Sequence, residues 1–311
     1  MVSENKSVLV IGGATVDTKG RAKGALVPAT SNDGEVIRTP GGCARNIAEN
    51  LARLGVETTL ITAVGDDADG RELVRQAAES GINADHILVS PGSRTGSYVA
   101  ILQPDGSLAV GVADIVVNTA ITPQYLAARK PIFQGADMIA IDASLPVDTL
   151  TFLFRLAARY KVPVCADPTS LALAPRLRPF LNQLTLVTPN AAEAEALCGC
   201  SPIIPGEEAL SAARCVVGSG AGIAIITMAE EGLTYATTET GGRIPAIRTE
   251  VVDYTGAGDA LTAAVIFGLL NDFSVDDAVR LGVSAATLTL RSRETVVPNL
   301  SLDVLYESLV I

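Results

Sequence analysis

The sequence predicts an α/β fold: a mostly parallel central sheet covered by helices on both faces, three layers in all, with a small β-sheet lid. Three observations carry this. Short apolar runs of strand length recur and alternate with helical periodicity, the pattern of a parallel sheet buried on both sides. Two polar, turn-rich regions break that rhythm. Near the C-terminus, two glycines and an acid open a long apolar helix at Gly256-Ala257-Gly258-Asp259.

Taken in order, Ser7–Ile11 reads as a buried strand ending in Gly12-Gly13. Residues 19–39 are rich in Gly, Thr, Ser and Asn, with a short strand over 35–38. Residues 41–54 read as a helix entered through glycines, with Ile47, Leu51 and Leu54 on one face. A strand over 57–64 and a helix over 69–80, stopped by Gly81, follow. Residues 95–117 alternate around Pro104-Asp105-Gly106, a turn between two strands. With 19–39 they are expected to form a small antiparallel sheet, the lid, from segments of about 14–40 and 94–117 inserted in a single domain spanning 1–311. A pair of ordinary surface hairpins is the alternative. Strands over 138–141, 162–166, 184–187 and Ile223–Thr227 complete the sheet. Right-handed crossovers gather their C-terminal ends on one rim, where ligands bind.

Composition excludes several function classes. With 311 residues, 48% of them hydrophobic, the chain has enough apolar surface for a large core. The net charge is −11, and the 23 Lys and Arg are scattered, so no nucleic-acid footprint is expected. No apolar run reaches membrane-spanning length. Residues 1–7 lack the layout of a signal peptide, and the expectation is a cytoplasmic protein. The five cysteines, Cys43, Cys165, Cys198, Cys200 and Cys215, match no zinc spacing and read as reduced, mostly buried thiols. His86, the only histidine, reads as a structural residue in a strand beside Asp85. It leaves Ser-His-Asp and Cys-His mechanisms no other base. A P-loop lysine is absent.

Four short constellations carry the chemistry. In Asp253-Tyr254-Thr255-Gly256-Ala257-Gly258-Asp259 the glycines allow close approach of a ligand, and the helix start offers unpaired N–H groups to an anion. Asp259 within that turn suits a base that takes a proton from an attacking hydroxyl, or simply complements the helix dipole. Gly41-Gly42-Cys43-Ala44-Arg45-Asn46 places an amide at a glycine-rich helix entry, where Asn46 can bond a sugar hydroxyl. Asp17, after Gly12-Gly13, would sit at a strand rim and accept two hydroxyls of a vicinal diol. Thr188-Pro189-Asn190-Ala191-Ala192-Glu193 reads as a capped helix start. Its functional alternative has Asn190 and Glu193 orienting water around a Mg²⁺ on nucleotide phosphates. Residues 225–232 read as strand, turn, strand, with Thr227 near a phosphate or as part of a plain hairpin.

In this order the motifs resemble those of the ribokinase-like family of carbohydrate and nucleoside kinases, over nearly the whole chain. The resemblance implies an α/β sandwich with a β-lid, ATP with Mg²⁺ as donor, and a sugar or nucleoside hydroxyl as acceptor. It implies Asp259 as base and the amides of Gly256, Ala257 and Gly258 as anion hole. Asp17, Gly41, Gly42, Asn46 and Arg45 fall at substrate contacts, and Asp114, with Ser97 and Tyr98, on the lid. Asn190, Glu193, Thr227, Gly232 and Thr255 fall at the nucleotide, Glu193 reaching Mg²⁺ through water. Asp253 and Thr255 fall at part of a K⁺ site. Many relatives are dimers, which suggests a homodimer through the lid. The run from Gly41 to Gly55, with Arg45, is similar to the pseudouridine-kinase branch, as are Asp167-Pro168-Thr169-Ser170 and Arg291-Ser292-Arg293-Glu294-Thr295. The implied reaction is phosphorylation of a nucleoside 5′-hydroxyl. Other sugar or nucleoside kinases, and a nucleoside-binding protein without turnover, remain alternatives. Ala229 stands where the family usually has glycine, and Asp114 lies in a lid segment that departs from the branch.

Overall fold

The computed structural model describes residues 6–199 and 207–308. The N-terminal segment 1–5 and Cys200 lie outside them. In chain order the first half runs β1 (Ser7–Ile11), β2 (Thr15–Ala22), β3 (Gly34–Gly41), α1 (Cys43–Arg53), β4 (Glu57–Ile61), β5 (Ala63–Gly65), α2 (Ala68–Glu79), β6 (Leu88–Ser90), β7 (Gly96–Leu102) and β8 (Leu108–Asp114). It continues through α3 (Pro123–Ala127), α4 (Lys130–Gly135), β9 (Met138–Asp142), α5 (Val147–Tyr160), β10 (Val164–Asp167), β11 (Leu186–Val187), α6 (Ala191–Cys198) and α7 (Glu207–Gly218). The last elements are β12 (Ile223–Thr227), β13 (Leu233–Thr237), β14 (Gly241–Ile244), α8 (Ala257–Leu270), α9 (Val275–Leu290) and α10 (Leu302–Glu307).

Eight strands form the central sheet in the order β14-β13-β12-β11-β10-β9-β1-β4. The six from β12 to β4 are mutually parallel, and β13 and β14 add an antiparallel edge. Alternation along β1 divides the core. Leu9 and Ile11 pack with α5 and α7, while Val8 and Val10 pack with α1, α8 and α9. The three-layer expectation is met because the parallel strands carry apolar side chains on both faces. Helix α8 is apolar all round, and every residue from Asp259 to Gly268 is buried, the character of a helix at the centre of a core.

A second sheet, β3-β2-β7-β8, is built from the two turn-rich segments. It is mixed rather than antiparallel: β2–β3 and β7–β8 are antiparallel, but the central pair β2–β7 is parallel. The reason is connectivity. Between β3 and β7 the chain passes through α1, β4 and α2, a crossover long enough to return it in the same direction.

Other boundaries also shift. The strand expected over 57–64 breaks at the buried Thr62, and β5 leaves the main sheet to pair with β6. The strands expected over 162–166 and 184–187 shorten to β10 and β11. His86 lies in a turn, not a strand. Its carbonyl accepts the Tyr125 hydroxyl at 2.9 Å, and burial lowers its imidazole pKa. Among the other cysteines, Cys165 is buried, Cys43 and Cys198 half-buried and Cys215 exposed.

Candidate active site

The parallel strands end on one rim, and the starts of α1 and α8 meet above it. At Gly256 the backbone has φ +86°, and a Cβ there would run into the Thr295 carbonyl. Only glycine fits this turn. It places Asp259 in the first turn of α8, where the side chain is 7% exposed. Its Oδ2 accepts Asn46 Nδ2 at 2.7 Å, and the Cys43 thiol donates to the same carboxylate. Burial pushes the Asp259 pKa up to about 7, with Asp142 and Asp17 acting in the same sense against those two hydrogen bonds.

Asn46 is held by Arg45. The guanidinium donates to Asn46 Oδ1 through Nε at 3.2 Å and Nη2 at 2.7 Å, and to Glu49 through Nη1 at 2.7 Å. The Asn46 carbonyl thus faces Arg45 and its amino group faces Asp259. Arg45 is buried and reaches Thr295 Oγ1 at 3.4 Å. The sequence put Arg45 at substrate; in the structure its guanidinium orients Asn46, the residue beside Asp259.

Asp17 lies within β2 on the second sheet rather than at the end of β1. It is buried and accepts Thr15 Oγ1 at 2.7 Å. Burial raises its pKa. Gly41, in register with Thr15 and so diagonal to Asp17 across β2–β3, leaves no room for a Cβ beside that carboxylate. Gly42 is the N-cap of α1, with φ +93°. Tyr98 stands in register with Asp17, and its hydroxyl pKa is raised by burial and then by the nearby Asp17. Asp114 is in register with Ser97 at the exposed end of β8, outside this buried cluster.

Two acids that sequence reasoning did not place in the site lie beside it. Asp142 ends β9 and accepts the backbone N–H of Gly13 at 2.8 Å, of Ala44 at 3.1 Å and of Ser144 at 2.9 Å. It therefore pins the start of α1 to the sheet. Asp167 ends β10 and accepts Thr169 N at 2.7 Å. Burial, then Asp259 and Glu193, push its pKa well up. The available signal was position: each is a carboxylate closing an apolar parallel strand at the ligand rim.

On the other side of α8, Asn190 and Glu193 form a reciprocal capping box, each bond 2.9 Å. Glu193 is buried, which raises its pKa. A cavity of about 560 Å³ opens beside them, lined by Asn190, Thr227, Gly232, Ala257 and Gly258 among others. Ala229, also on its wall, has φ +48°. That left-handed backbone costs alanine more than glycine.

Among the described residues no three acidic, thiol or imidazole groups converge to cage a metal. The donor set fits Mg²⁺ only as an ion carried by phosphates, with a carboxylate such as Glu193 reaching it through water. At Asp253 the donor set does not suit a free monovalent cation. Oδ2 is ion-paired with Lys19 Nζ at 2.7 Å, and Oδ1 accepts Thr255 N at 2.8 Å.

A fold of this topology, with a buried acid and a glycine turn opening its central helix, is that of the ribokinase-like kinases. The chain belongs to the pfkB family of carbohydrate kinases, whose family model matches residues 5–301. It is therefore a sugar or nucleoside kinase, transferring a phosphoryl group to an alcohol. It is similar to a pseudouridine kinase of Escherichia coli, 34% identical over 96% of this chain and 95% of that one. A guanosine-inosine kinase of Exiguobacterium acetylicum is 31% identical over 92% and 95%. A ribokinase of Arabidopsis thaliana, solved with ribose and ATP, matches with a TM-score of 0.83 at 21% identity over 99% of both chains, a likeness of fold.

Proposed function

We propose that this chain is an ATP-dependent nucleoside kinase that phosphorylates the 5′-hydroxyl of pseudouridine. The observation that carries the chemistry is Asp259: a buried carboxylate, oriented by Asn46, in the first turn of a helix whose N–H groups are open. The subgroup reading is supported by the likeness to the pseudouridine kinase along nearly the full chain.

Asp17 and Asn46 would hold the ribose 2′ and 3′ hydroxyls against the lid sheet. Asp259 accepts the 5′-hydroxyl proton as that oxygen bonds the γ-phosphorus. The bond from that phosphorus to the β–γ bridging oxygen breaks, and ADP leaves. The N–H groups of Gly256, Ala257 and Gly258 stabilise charge on the phosphoryl group in transit. Thr227 and Gly232 line the 560 Å³ cavity, which would take the nucleotide, with Thr255 following the lining residue Tyr254. Bound Mg²⁺ would neutralise phosphate charge, with Glu193 and Asn190 ordering its water. Asp114 and Ser97 would meet the base when the lid closes. The glycosidic bond takes no part, so a C-linked base is no obstacle.

The enzyme would act in the cytoplasm; no described helix is long and apolar enough to cross a membrane. It would work as a homodimer paired through the lid, where β8 is an exposed edge carrying Leu108, Val110 and Val112.

The test is ATP consumption with Mg²⁺ against pseudouridine, uridine, cytidine, guanosine, inosine, adenosine, ribose and fructose, with products identified by mass. Preference for pseudouridine is expected. Preference for guanosine or inosine would favour the reading suggested by the second relative. ATP binding without turnover on any acceptor would favour a binding protein.

A further inference from the structure

Lys19 is among the largest fully buried side chains of the described residues, 1% exposed, on a strand of the lid sheet. It shares a face of β2 with Asp17, two residues earlier. Its ammonium crosses to the loop before α8 and meets Asp253 Oδ2 at 2.7 Å. The other oxygen of Asp253 holds Thr255 N, one residue before the Gly256 turn. The backbone of this loop is tied in addition to the end of α9, where Val252 N donates to the Leu290 carbonyl at 2.8 Å. Asp253 is itself buried, 5% exposed.

A buried carboxylate with one oxygen committed to its own turn needs a cation on the other, or it must take a proton. In this protein the cation is covalently part of the chain. A free ion at Asp253 would have to displace an ammonium whose side chain is 1% exposed and already paired at 2.7 Å. Lys19 also joins two parts that a free ion would leave separate: the strand that carries Asp17 and the turn that carries Gly256 and Asp259.

We propose that the Lys19 ammonium is a tethered replacement for a monovalent cation at Asp253, so that this protein neither binds nor needs K⁺ there. Lys19 is a positioning residue: it fixes the Asp253–Gly256 turn without touching substrate. The catalytic consequence rests on the kinase reading above; the binding consequence does not.

The experiment measures K⁺ effects on the full-length chain in two ways, with choline chloride at equal ionic strength as control. One readout is the thermal unfolding midpoint, which rises with any ion that binds the folded state. The other is kcat/KM on the preferred acceptor. For the wild type, neither readout should distinguish K⁺ from choline. Lys19→Met removes the charge and keeps the stem. Its midpoint should rise saturably with K⁺, and its activity should become K⁺-dependent by about tenfold or more, the usual scale of a coupled ligand. A saturable, K⁺-specific rise in the wild-type midpoint overturns the proposal, whether or not the variant folds. So does a folded Lys19→Met that gains no K⁺ stabilisation. If no acceptor is found, the midpoint measurements still decide the binding question, which separates failure of this inference from failure of the kinase reading.

Discussion

Asp259 keeps its proton at a pH where an exposed aspartate has lost it, and both activity and stability should reflect this. Its folded pKa is about 7 against an ordinary 3.8, chiefly through burial. In the free enzyme the base is competent only when ionised, so kcat/KM should climb as pH rises through about 7. Stability runs the other way. Between 3.8 and about 7 the folded chain holds a proton that the unfolded chain has released. The folding free energy therefore weakens as pH rises through that window. Asp259→Asn removes both effects, and its amide oxygen can still accept from Asn46. Turnover should drop by ~10²–10⁴-fold with little change in KM, while the unfolding midpoint at pH 8 should exceed the wild type's. Near-normal turnover in the variant would remove Asp259 from the role of base. Tm and steady-state kinetics on one preparation decide both points.

At the scale of elements, two helix starts do different work. The start of α8 is shaped by Gly256 and opens its N–H groups outward. The start of α6 is closed by the Asn190–Glu193 box, which uses its own donors. The box is a structural device whether or not it also serves the nucleotide. Asn190→Ala should cost about 1 kcal/mol as a lost cap. Glu193→Gln separates the two roles, because the amide oxygen still accepts Asn190 N while the charge is gone. The variant should unfold near the wild-type midpoint. Its rate should need more Mg²⁺ to reach half-maximum. An unchanged Mg²⁺ titration would make Glu193 a cap alone.

For the whole molecule, the exposed face of the lid sheet is its least economical feature. Every residue of β8 is exposed, with Val110 at 56% and Val112 at 67%. A free edge with apolar side chains is a pairing template unless something covers it. The proposed cover is a second lid. Sedimentation equilibrium should give a dimer for the wild type and a monomer for the Val110→Lys, Val112→Lys double variant. A wild-type monomer at micromolar concentration would reject that pairing.

The sequence by itself determined the layering, because strand-length apolar runs and helical periodicity are local signals that survive without the fold. The glycine turn with Asp259, the amide at Asn46 and the Asn190–Glu193 cap were legible for the same reason: each is a contiguous string whose backbone demands are written in its own residues. What lay across the fold was not legible. The β5 departure, the parallel β2–β7 pair and the partners of Arg45 depend on where distant segments return. Asp142 and Asp167 join the site only because two strands end side by side. The buried pair of Lys19 and Asp253 spans 234 positions of chain. No local pattern distinguishes a lysine that meets an acid across a core from one that meets water, so the tertiary structure alone decided which cation this site holds.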